Sequence, residues 1–227
     1  MEHFQESPLL GGKPRERDIL AFFKGDMGTN RLAHHSRGLR QRILKKVTED
    51  GWGDKYRVRV GTADDASMPG SYSKGLARSV FCLVLPGDGW SSRAEDAASH
   101  GCIPVVIMDR VHAVHESILD WDMFSVRVAE SEVESLPQIL AAISDARVRR
   151  MQARLSRVAH YFVYNTGQLP NFIFRSIHAG NAGGKAPADD HPLWGDDAFA
   201  TIMQWLHSRI GRARGGGPSH RNPWWNS

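Results

Sequence analysis

From Pro86 to Ile107 the chain reads P-G-D-G-W-S-S-R-A-E-D-A-A-S-H-G-C-I-P-V-V-I, its densest concentration of residues able to do chemistry. Gly87 and Gly89 let the backbone approach a ligand closely. Ser91 and Ser92 stand where a helix begins and can cap it, leaving N–H groups and a positive dipole end that favour a phosphate. Arg93 adds a planar bidentate donor for diphosphate oxygens. Asp96, one turn later on the same face, is placed to accept hydrogen bonds from sugar or ribose hydroxyls. Together these residues describe a seat for a nucleoside diphosphate group. A plainer reading makes Ser92 an N-cap and Arg93 with Asp96 a surface pair at i,i+3, worth roughly 0.2–0.5 kcal/mol. The local pattern admits both.

A rival motif overlaps the same loop. Gly87-x-Gly89-x-x-Ser92, with Asp109 about 20 residues beyond, imitates a dinucleotide fingerprint. Its third glycine is serine, its helix spans about two turns, and it follows a late strand instead of opening the domain. Those departures argue against a dehydrogenase. His34, His35, His100, His112 and His115 are titratable but isolated, so no catalytic base is nominated. No metal-ligand spacing is present. Arg147, Arg150, Arg154 and Arg157 recur at helical steps, and the GRARGGGPSHR tail adds further cations. A solvated basic face accounts for the stripe, and no nucleic-acid partner is expected.

The elements that must position the loop follow from periodicity. DILAFFKG (Asp18–Gly25) reads as a buried strand ending in glycine, and SRGLRQRILKKV as an amphipathic helix. YRVRV (Tyr56–Val60), VFCLVLP, CIPVVIMD and FSVRV read as further strands, with helices SYSKGLARS and RAEDAASH between them. A helical turn is expected from Val114 to Leu119, and two helices from Val133 to about Tyr164. Apolar strands alternating with helices predict an α/β fold, a mostly parallel Rossmann-like sheet with helices on both faces. The expected organisation is an irregular segment at 1–17, one domain at 18–180, a linker at 181–195, a helix at 196–211 and a disordered basic tail at 212–227. In such a sheet, ligands sit beyond the carboxyl ends of the strands.

At 227 residues, with 41% apolar residues, 24% charged residues and a net charge of +4, the composition is that of a globular domain. The longest apolar run, Ile103–Met108, is too short to span a bilayer, and no signal-peptide pattern opens the chain. Cys82 and Cys102 lie in apolar runs and read as small buried hydrophobes without a disulfide framework.

The ordered series FFKG, SRGLRQ, SKGLARSVFCLVLPGDGWSSR, DAASHGCIPVVIMD and HESILDWDMFSVRV resembles the exostosin-like glycosyltransferases across roughly two-thirds of the chain. That resemblance implies the nucleotide-sugar-binding half of a two-domain GT-B enzyme. The donor would be a UDP-sugar, the acceptor a glycan or glycoprotein, with inverting transfer, no required cofactor and no metal. Arg93 would hold the diphosphate and Asp96 the ribose or sugar, with Gly25 and Arg40 lining the opposite wall. Glu95 departs from the apolar residue that relatives often carry there. The resemblance also implies a Golgi membrane location and an N-terminal acceptor domain that has no counterpart before Asp18. An alternative is a catalytically inactive nucleotide-sugar-binding or assembly module.

Overall fold

The computed structural model describes residues 4–87, 91–164 and 197–213. Five parallel strands form one sheet: β1 (Ile19–Lys24), β2 (Val58–Gly61), β3 (Ser79–Val84), β4 (Ile103–Val106) and β5 (Val126–Arg127), in the order β2-β1-β3-β4-β5. Register is set by pairs such as Phe23 with Val60, Phe22 with Cys82, and Leu83 with Val105. The predicted α/β class and parallel sheet are both observed. FSVRV contributes only two paired residues to β5. YRVRV begins its strand two residues late, because Trp52–Tyr56 close a short helix, α2, that ends with Arg57 in the left-handed region.

The helices follow the alternation of side chains along the strands. On β1, Ala21 and Phe23 join a core shared with α1 (Leu39–Glu49), whereas Phe22 joins one with α3 (Tyr72–Ala77) on the other face. Gly75 sits within α3 because a β-carbon there would run into the Phe22 ring. α4 (Arg93–Ser99) crosses from β3 to β4 and buries Ala94, Ala97 and Ala98, small residues that let it lie close to the strands. Beyond β5 come α5 (Leu136–Ala141), with Pro137 in its first turn, and α6 (Asp145–Val158). A final helix, α7 (Ala198–Ala213), returns to the body of the protein, where the Ala198 N–H donates to the Val163 carbonyl at 3.1 Å. The expected linker at 181–195 lies outside the described residues, as does the tail from residue 214 on. Residues 114–119 form turns and no continuous helix.

Two findings differ from the sequence reading. Cys82 and Cys102 form a disulfide, with α-carbons 5.8 Å apart and a sequence separation of 20. The register of two neighbouring parallel strands brings them together, a relation that depends on the crossover through α4. The segment before β1 has little regular structure, yet it is anchored. Ser7 is fully buried and its hydroxyl donates to the Ser99 carbonyl at 2.5 Å, Phe4 stacks on His100, and Arg17 donates to the Leu76 and His100 carbonyls.

Candidate donor site at the strand switch point

Strand order reverses between β1 and β3, and sheets of this kind bind ligands beyond the carboxyl ends of the strands at such a point. Four of the predicted residues meet there around one aromatic ring. Phe23, second from the end of β1, carries the Arg93 guanidinium at 4.7 Å from its centroid and the Arg40 guanidinium at 5.1 Å. A cation over an aromatic face gains roughly 0.5–2 kcal/mol, the larger value where water is excluded. Arg40 is 4% exposed and donates to the Asp26 carbonyl at 2.8 Å. Arg93 reaches the Lys24 carbonyl at 3.4 Å, and its buried Nε has no hydrogen-bond partner. Among the described residues Arg93 forms no salt bridge.

Glycine makes room for both cations. A β-carbon on Gly25 would collide with a terminal nitrogen of Arg93, and one on Gly87 would come within 3.2 Å of Arg40. The Ser91 hydroxyl, two residues before Arg93, is buried without a partner. Gly89 lies outside the described residues. Two guanidiniums held together, with no carboxylate on Arg93, have the donor chemistry that an anion with several oxygens requires.

The loop from β1 to α1 presents strained backbone to the same end of the sheet. Ser36 and Arg37 adopt φ of 55° and 54°, followed by Gly38 at 71°. Left-handed conformations cost non-glycine residues of order 1–3 kcal/mol each. Arg37 is tied across to the segments after β4 and β5, donating to the Asp109 carbonyl at 3.1 Å and to Glu130 at 2.5 Å.

Ser92 and Asp96 take different places from those expected. Ser92 occupies the cap position of α4, but its side chain makes no capping bond; only its carbonyl is used, accepting from the Asp96 N–H at 3.0 Å. Its backbone conformation, with ψ near zero, differs from the extended geometry in which a serine hydroxyl reaches back to the first turn. Asp96 accepts a hydrogen bond at 3.1 Å from the Tyr72 hydroxyl of α3. Burial and the Asp96 charge push the Tyr72 phenol well above its ordinary range. Sequence reasoning missed Tyr72, and the only available signal was a tyrosine at the start of a short helix leading into β3.

Ser92, Glu95 and Asp96 open instead onto an adjacent groove of about 760 Å³ bounded by the turn after β4, Phe162 and α7. Burial pushes the Glu95 carboxyl up to about 7. The histidines divide by location. His100 is fully buried and held by Ser73 and the Asp96 carbonyl, while His35 is buried and His34 exposed. His112 is exposed beside Glu116, and His115 is lowered by burial next to Phe162. Among the described residues no cluster of His, Cys, Asp or Glu could hold a metal ion, and no helix is long and apolar enough to cross a membrane.

Residues 3–143 match the Exostosin GT47 domain. The chain belongs to that glycosyltransferase family. This GT47 chain is similar to a probable glucuronoxylan glucuronosyltransferase of Arabidopsis thaliana, 33% identical over 156 residues, covering 66% of this chain and 30% of the relative. It is also similar to a probable glucuronosyltransferase of Oryza sativa subsp. japonica, 32% identical over 141 residues, which cover 62% of this chain and 32% of the relative. The Exostosin-1 homolog of Caenorhabditis elegans is 26% identical over 172 residues, 71% of this chain and 45% of that protein. The GT47 chain thus spans about a third of the length of its plant relatives. The GT47 match takes in β1 through β5 and every predicted donor residue.

Proposed function

We propose that this chain binds a nucleoside diphosphate sugar, a UDP-sugar, and forms the donor side of a glycosyltransferase acting on a glycan or glycoprotein acceptor. The observation that carries the reading is Arg93. It is a half-buried guanidinium at the strand switch point, stacked on Phe23 beside Arg40, with no salt bridge among the described residues and an Nε lacking a partner. A diphosphate supplies the missing charge and the missing acceptors.

In transfer, the bond from the anomeric carbon to the diphosphate oxygen breaks as the acceptor hydroxyl attacks. Negative charge then grows on the departing diphosphate, where fixed guanidiniums stabilise it without reorganising. The names of the plant relatives favour a glucuronosyl donor. The acceptor and the base that takes its proton belong, in this reading, to a second domain of a GT-B enzyme working at the Golgi membrane.

Calorimetry with UDP and UDP-glucuronate tests the proposal. Micromolar to millimolar binding is expected, and Arg93→Ala should weaken it by about tenfold or more, equivalent to about 1.4 kcal/mol. If neither UDP nor any other nucleoside diphosphate binds, the assignment fails. A non-catalytic binding module is the second reading; sugar transfer by the purified chain would remove it.

A further inference from the structure

The groove beside α4 is separate from the arginine crevice. None of Gly25, Arg40, Gly87 or Arg93 lines it. The two share only the first turn of α4, from which Arg93 reaches toward Phe23 while Glu95 and Asp96 open onto the groove. Its volume lies within the range of sites that take small organic ligands, about 300–1,000 Å³.

The groove's walls have a definite chemistry. Trp205 of α7 forms an aromatic wall whose orientation is set from two sides. Its indole N–H donates to the Ser117 hydroxyl at 2.7 Å, and the Arg209 guanidinium lies over the ring at 4.1 Å. Phe162 adds a second apolar surface. From α4, Glu95 presents a carboxyl oxygen, Oε2, that is buried and has no hydrogen-bond partner. An acceptor left in this way keeps its desolvation penalty uncompensated, and a ligand hydroxyl donating to it removes that penalty.

Aromatic walls with carboxyl acceptors suit a ring that has apolar C–H faces and hydroxyls at its rim. We propose that this groove is a saccharide subsite that binds a pyranose unit of a glycan against Trp205, with a sugar hydroxyl donating to Glu95. The proposal rests on the donor reading in one respect: the glycan held here would lie one helical turn from the diphosphate seat, on the acceptor's path to it.

The test is binding of xylohexaose and cellohexaose to the full chain, measured by saturation-transfer NMR and calorimetry with and without UDP. At least one oligosaccharide should bind at millimolar concentration without UDP. Trp205→Ala should abolish that binding. Glu95→Met keeps the side-chain length and removes both oxygens, and it should weaken binding by about fivefold or more even if the tryptophan variant misfolds. Both variants should bind UDP as the wild type does. The subsite is overturned if neither oligosaccharide binds, or if both variants bind sugar normally. It is equally overturned if Trp205→Ala weakens UDP in place of sugar, which would make the groove a nucleoside pocket. Sugar binding without UDP binding would leave the subsite standing and defeat the donor assignment instead.

Discussion

Gly25 and Arg93 compete for one volume. The α-carbon of Gly25 lies so close to a terminal nitrogen of Arg93 that any β-carbon would occupy the guanidinium's place. The obstructed group is the far end of a flexible side chain, so the fold can absorb a substitution while the guanidinium cannot stay where it is. Gly25→Ala is therefore expected to leave the melting temperature within a few degrees of wild type and to weaken UDP about tenfold by calorimetry. A large loss of stability with unchanged UDP affinity would show that Gly25 serves the fold alone.

Tyr72→Phe removes the hydroxyl that Asp96 accepts at 3.1 Å while keeping the ring beside Phe22. The expected stability loss is about 1 kcal/mol, read by urea denaturation, because a partly buried hydrogen bond to a charged group is lost. Asp96 opens onto the groove and not onto the arginine pair, so UDP affinity should stay near the wild-type value. Unchanged stability would make the bond incidental.

The Cys82–Cys102 disulfide joins positions separated by 20 in sequence and closes a loop that contains all of α4. Replacing both cysteines with alanine should lower unfolding stability by about 2–4 kcal/mol. Denaturation of the wild type under strong reductant should approach the same value. Equal stability of the oxidised wild type and the double variant would refute a structural role.

Glu95 makes stability depend on pH. Burial raises its folded pKa to about 7 from 4.5, so between those values the folded state holds a proton that the unfolded state has released. Stability from this group is complete below the unfolded pKa and is lost as pH rises toward 7. Glu95→Gln should therefore be more stable than wild type by about 1–2 kcal/mol near pH 8, after allowance for solvent screening. The two should match near pH 4. A constant difference across that range would place the effect on some other group.

Much of the fold is legible in local pattern. Apolar runs such as VFCLVLP and IPVVIM must be buried, and their alternation with amphipathic segments leaves few arrangements besides a covered parallel sheet. YRVRV shows where that logic breaks. Its first residues close α2 because Gly51 and Arg57 take left-handed conformations, and alternation carries no information about either. The Ser92 cap was misread for a related reason. A serine before a helix indicates that a capping bond is available, but backbone ψ decides whether it forms.

The chain alone determined which residues have the chemistry for a phosphate, in what order they come, and that they follow β1 and β3. Those are one-dimensional properties of composition and period. Only the folded structure decided that Arg40 and Arg93, 53 positions apart, share the ring of Phe23. It also decided that Cys82 meets Cys102 and that α7 walls a groove over Glu95. These contacts depend on strand order and register, which arise from burying both faces of the sheet at once, and no window of sequence contains that constraint.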